Sequence, residues 1–127
     1  MVSFVVDKNY DMGGMVREFY HRFDQDGFVA PAGEVASVER MGAGRTALRV
    51  DLIGEEFIEL VDATYGVEAG NVLRGALERV RTENGYEARS VDTVEVADAL
   101  ADIMYLVWGF ALEAGIPLMD VFREVHA

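Results

Sequence analysis

A chain of 127 residues that is 51% apolar is long enough for one domain with a buried core and too apolar for a disordered acidic tail. A formal net charge of −12 and the lack of any cysteine exclude three classes: a general basic surface for nucleic acid, a disulfide scaffold, and thiolate-ligated zinc or iron–sulfur centres. Cysteine-free composition also suits a reducing cytoplasm, which is the expected location.

The opening MVSFVVDKNY has an apolar stretch too short for a secretory signal and no basic flank. Its first six residues hold the only strand-like alternation. Met12, Met15, Val16, Phe19, Tyr20 and Phe23 recur at helical spacing and predict a first helix over 11–23. The Gly-, Asp- and Ala-rich segment 24–44, with Pro31, reads as a long loop holding a short helical turn near 34–40. Thr46 is the expected N-cap of a second helix that runs to about Thr64. Gly66 and Gly70 then interrupt the chain. A third amphipathic helix over 69–83 follows, with Val72, Leu73, Ala76, Leu77 and Val80 on one face, and Asn84-Gly85 stops it. Asp92 or Thr93 caps a fourth helix reaching Ala114, with Gly115 as its stop. Pro117 opens a last helix with Leu118, Val121, Phe122 and Val125 on its apolar face. The longest apolar run, 99–116, contains Asp102 and Glu113 and reads as a buried helix, not a membrane span. The expected fold class is all-α, one helix bundle of about five helices over residues 1–127.

Two helices carry acids in an unusual way. On the second, at about 100° per residue, Glu56 falls inside a broad apolar arc between Ala63 and Leu60. Glu59 lies at the edge of that arc, and Glu55 and Asp62 turn outward. A carboxylate within a core stripe must be paired, protonated or bound to a cation. On the fourth helix, Glu95, Asp98 and Asp102 are spaced i, i+3, i+7 and fall in one stripe about 60° wide. Gly109 continues that stripe, and no Lys or Arg occurs between Asp92 and Glu113. An ordinary solvated face mixes charge signs for i,i+4 support, whereas like charges aligned here repel. Solvated acidic faces remain the bland explanation of each cluster taken alone. Two clusters of hard oxygen ligands with few histidines suit Mg²⁺ or Mn²⁺ better than zinc or copper.

These residues resemble a known family. Glu56-x-x-Glu59 followed by Glu95-x-x-Asp98 looks like the paired ExxE and ExxD signature of the all-α NTP pyrophosphohydrolases, in particular the MazG-like, phosphoribosyl-ATP-pyrophosphohydrolase-like branch. RVDLIGEEFIEL (49–60) is similar to the first metal helix of that branch. VEVADALADIMYLVWGFALEAGIPLMDVFREVH (94–126) is similar to its second metal helix and the one after it, and MVREFYHRF (15–23) to its opening helix. The resemblance implies hydrolysis of a nucleoside triphosphate to monophosphate and pyrophosphate, as house-cleaning of dUTP or another non-canonical nucleotide. It implies Glu56, Glu59, Glu95 and Asp98 as ligands of Mg²⁺ (or Mn²⁺), with Asp102 beside them. Glu55, with Glu56, would serve catalysis by holding a further ion or activating water. His21 and Arg49 are candidate substrate-side residues. A homodimer or dimer of dimers, with sites near subunit contacts and neither nucleic acid nor membrane as partner, is implied as well.

Two departures bear on this. The interval between Glu59 and Glu95 is longer than in relatives, through the segment 69–83. Relatives also continue past the position of Ala127 with an Asn- and Lys-containing segment that helps bind phosphate; Lys8, Arg17, Arg49 and Arg123 are the cations on hand to substitute. Among other features, Glu18-x-x-His21 is a di-iron spacing without its required second copy. Tyr105 and Trp108 sit on an apolar helix and read as packing residues before base-stacking ones. Gly42-Ala43-Gly44-Arg45 lacks the GK[ST] of a P-loop. Arg40 and Arg45 are loop cations that could reach phosphate. The rival class is a non-enzymatic acidic helical protein that binds a basic partner, and a third is a family member that keeps nucleotide binding without catalysis.

Overall fold

The computed structural model describes residues 12–23, 29–30 and 35–126. The strand-like first six residues, Lys8 and Pro31 lie outside them. Among the described residues there are five α-helices and no strand: α1 (Met12–Phe23), α2 (Ala43–Tyr65), α3 (Val67–Glu83), α4 (Thr93–Ala114) and α5 (Leu118–Val125). The turn expected near 34–40 is a single 3-10 turn at Glu39–Met41. The protein is all-α, as the periodicity predicts.

One cap differs from expectation. α2 begins three residues before Thr46, after Gly42 at φ 81°. The Thr46 hydroxyl donates back to the Gly42 carbonyl at 2.9 Å, so it serves an i−4 acceptor within the first turn and does not cap an N–H. On α4 the expectation holds. The Asp92 carboxylate accepts from the backbone N–H groups of Val94 at 3.0 Å and Glu95 at 3.2 Å. Thr93 does something else: its hydroxyl accepts from Val38 N–H at 3.0 Å.

The chain sorts into two compact units, one formed by residues 36–97 and one by residues up to 35 together with 98–127. In the first, α2 and α3 form an antiparallel hairpin about Gly66, whose φ of 100° favours glycine. Asp62 meets Arg74, Gly54 meets Leu77, and Asp51 meets Arg81 as the helices run in opposite senses. Ile58 is 4% exposed at the centre of this contact. The chain leading from α3 to α4 is tied back by Ala88 N–H donating to Ala43 carbonyl at 2.9 Å. In the second unit Ala111 is buried. α4 ends in a glycine cap, with Gly115 at φ 70° and Ile116 N–H donating to Ala111 carbonyl at 2.8 Å. On α5 the rings of Phe122 and His126 lie 4.7 Å apart.

The expected cores of α2 and α4 are corrected. Leu52, Ile53, Phe57 and Leu60 of α2 are exposed, as are Leu100, Ile103, Met104 and Val107 of α4. α2 turns a different face to α3, made by Asp51, Gly54, Glu55, Ile58 and Asp62. Small Gly54 and Gly70 let the backbones approach there, and arginines from α3 satisfy the acids. Within its own unit α3 covers the Asp51–Asp62 face of α2 and not the apolar arc beside it. No single helix among the described residues is long and apolar enough to cross a membrane.

The glycines of α3 give a stability prediction. A methyl added at Gly75 would meet nothing within 4 Å, so Gly75→Ala should stabilise by about 0.5–1 kcal/mol through helix propensity alone. At Gly70 the same methyl would overlap the Asp62 carboxylate, which is held by Arg74. Gly70→Ala should therefore destabilise, by about 1–3 kcal/mol. Urea unfolding midpoints that move in opposite directions would bear this out; a rise in both would show that Asp62 yields freely.

Candidate functional site

Helical geometry makes Glu55, Glu56 and Glu59 neighbours on α2. Glu59 is one turn beyond both, at i+3 from Glu56 and i+4 from Glu55. All three are exposed. Sequence periodicity places Glu56 in a buried stripe, and the structure corrects this: α3 packs on another face of α2, and Glu56 is exposed. Glu59 is nonetheless perturbed. The adjacent Glu56 charge, and then a hydrogen bond shared with the Glu56 carboxyl, hold the Glu59 carboxyl above its ordinary 4.5. Slight desolvation and the Asp62 charge act in the same direction, and Arg74 opposes them. Glu56 and Glu59 thus stand side by side as two carboxyls, and the Glu59 proton is held more tightly than usual.

A raised folded-state pKa contributes stability that is complete below pH 4.5 and is lost as pH rises through the raised value. Glu59→Gln removes that loss. In EDTA, the variant should gain stability relative to the parent as pH climbs from 4.5 toward neutrality. Chemical unfolding at several pH values measures this, and a constant difference would refute the Glu56–Glu59 coupling.

Glu55 has a different neighbour. Arg81 Nη2 donates to Glu55 Oε1 at 2.8 Å, and Nη1 reaches Glu78 Oε2 at 3.5 Å. Arg81 Nε lies 3.0 Å from Asp51 Oδ2, but its N–H is not aimed at that oxygen, so this contact is an ion pair without a formed hydrogen bond. The guanidinium is held further above its ordinary range by Glu55 first, against the effect of burial, and also by Asp51 and Glu78. In the turn after α3, the Tyr86 hydroxyl donates to Glu78 Oε1 at 3.2 Å, and Tyr86 itself is in the left-handed region at φ 60°. Arg74 pairs with Asp62 and donates to Asn71 Oδ1 at 2.8 Å. A half-open groove of about 410 Å³ runs between α2 and α3, lined by Glu55, Ile58, Glu59, Arg74, Leu77, Glu78 and Arg81.

Glu95, Asp98 and Asp102 follow one another along α4 and are exposed. Among the described residues, no three Asp, Glu or His side chains stand close enough to hold a metal ion. Each acid pair is therefore present as a two-carboxylate edge on its own helix. Arg49 lies on α2 two turns before Glu56, on the same face by periodicity. His21 is on α1.

A profile of the phosphoribosyl-ATP pyrophosphohydrolase family matches residues 16–127. The chain belongs to the phosphoribosyl-ATP pyrophosphohydrolase family. The match takes in every acid of the two motifs as well as His21 and Arg49, and leaves out Lys8. No curated protein and no solved structure gives a significant match. Sequence reasoning missed Arg74 and Arg81 as neighbours of this family's acid helix. The signal was available: they are seven residues apart on one face of α3, the spacing needed to meet Asp51, Glu55 and Asp62 on an antiparallel α2.

Proposed function

We propose that this family member is a metal-dependent pyrophosphohydrolase of a nucleoside triphosphate, releasing the monophosphate and pyrophosphate. The observation that carries the reading is the Glu56–Glu59 pair, two adjacent carboxyls of which Glu59 is held above its ordinary range chiefly by the Glu56 charge, within the stretch that the family profile matches. Carboxylate oxygens are the kind of donor that a hard divalent cation, Mg²⁺ or Mn²⁺, takes. Glu56, Glu59, Glu95 and Asp98 would hold the ion and Asp102 would lie beside it. When bound, the ion neutralises the triphosphate and lowers the pKa of water. The protein's own part is to present oxygen ligands and to leave the phosphates room. Arg49 and His21 are the proposed substrate-side residues. dUTP or another non-canonical triphosphate is the proposed substrate, and clearance of such nucleotides in the cytoplasm the proposed role.

A second copy of the chain is the proposed partner. Exposed apolar residues on one side of α4, Leu100, Met104 and Val107, support this, because clustered exposed apolar side chains mark an interaction face.

One observation favours a second reading. All the motif acids are exposed, and no three of them converge among the described residues, as suits an acidic binding protein that displays charge. Family membership weighs against it.

Pyrophosphate release from a panel of canonical and modified nucleoside triphosphates, with Mg²⁺, Mn²⁺ or EDTA, tests the proposal. Metal-dependent release with the matching monophosphate would establish the reaction and name the substrate. Folded protein that turns over none of them would leave the binding readings.

A further inference from the structure

The acid run on α2 offers a cation two competing edges that share Glu59. Glu56 and Glu59 make one, at i,i+3, and Glu55 and Glu59 make the other, at i,i+4. Helix geometry alone does not choose between them, since both spacings bring side chains together. The neighbouring helix does. Arg81 is 19% exposed and donates to Glu55 at 2.8 Å, while it also stands 3.0 Å from Asp51. Only an arginine spans this set: its planar fork carries several donors at fixed angles, whereas a lysine ammonium is a single point charge. Tyr86 and Arg81 both bond Glu78, which anchors the far side of the same cluster.

We infer that Arg81 is a positioning residue that withholds Glu55 from metal, so that the cation-binding edge of α2 is Glu56–Glu59 and Glu55 is a structural acid of the α2–α3 contact. The inference rests on the proposed metal-dependent reading and narrows it. It divides the run Asp51, Glu55, Glu56 and Glu59 into two halves. Asp51 and Glu55 face the chain's own Arg81, and Glu56 and Glu59 are left for an external cation. The long interval between the two acid motifs, which contains α3, thereby has a use: it supplies the arginine.

The test is Mn²⁺ binding followed by electron paramagnetic resonance on the full chain, without substrate. Glu56→Gln should weaken Mn²⁺ binding by at least about tenfold, whereas Glu55→Gln should leave it unchanged. Arg81→Met should release Glu55 and add Mn²⁺ binding that the double variant Arg81→Met/Glu55→Gln loses again. In turnover assays Arg81→Met should lower kcat more than it raises KM, and Arg81→Lys should restore little of it. A merely structural role would move the unfolding midpoint and leave the Mn²⁺ titration alone. Should Arg81→Met fail to fold, the Glu55→Gln and Glu56→Gln pair decides by itself. Weakening by Glu55→Gln as large as that by Glu56→Gln would overturn the inference, and so would absence of Mn²⁺ binding to the parent protein. If the parent binds Mn²⁺ in the expected pattern yet hydrolyses no triphosphate, the proposed reaction fails and the role of Arg81 stands. If it hydrolyses one while Glu55→Gln abolishes Mn²⁺ binding, the reaction stands and the role of Arg81 fails.

Discussion

Alanine at Glu56 or at Asp98 is expected to abolish metal-dependent pyrophosphate release and to leave the helical circular dichroism intact. Both residues are exposed in the isolated chain, so neither truncation opens a cavity or strands a buried partner, and surface substitutions of that kind seldom shift stability much. Activity should respond far more. Removing a group that merely orients a metal ligand typically costs about 10–100-fold, and removing a ligand should exceed that. Glu56→Ala has a second consequence. It takes away the charge that holds the Glu59 carboxyl above its ordinary range, so Glu59 should titrate closer to 4.5 in this variant, readable by carboxyl NMR. Retained turnover in either alanine variant would remove that residue from the proposed site.

The second large effect is expected on assembly. Leu100, Met104 and Val107 lie on the side of α4 away from the Glu95–Asp98–Asp102 stripe, and they are 45%, 56% and 48% exposed. Covering the exposed half of each such side chain in a partner copy is worth about 1 kcal/mol, and an aspartate forced into that contact adds the cost of burying an unpaired charge. Met104→Asp combined with Val107→Asp should therefore weaken self-association by at least about a hundredfold, since 1.4 kcal/mol is tenfold. The acid stripe would be untouched. Sedimentation velocity across a concentration series measures the change. A parent protein that stays monomeric at high concentration would refute the proposed partner and leave the apolar face of α4 in need of another one.

Much of this protein was determined by local sequence. Apolar residues at intervals of three and four fix the helices, because that spacing matches 3.6 residues per turn whatever the helix later meets. Gly66, Gly85 and Gly115 end them because the backbone there needs conformations that side chains resist. Asp92 caps α4 because a short carboxylate reaches the free N–H groups of the first turn. The two acid motifs were legible for the same reason, as fixed spacings on regular helices. Which face of each helix would be covered was not. Periodicity reports an apolar arc and says nothing of its partner, so Glu56 was expected in a core that α3 does not supply. The tertiary structure decided that α2 meets α3 through Gly54, Ile58 and a row of acids, because Arg74 and Arg81 on α3 can neutralise that row while the glycines permit close approach. An ion pair between residues 26 positions apart depends on how the chain doubles back, and that is a property of packing, not of any local pattern.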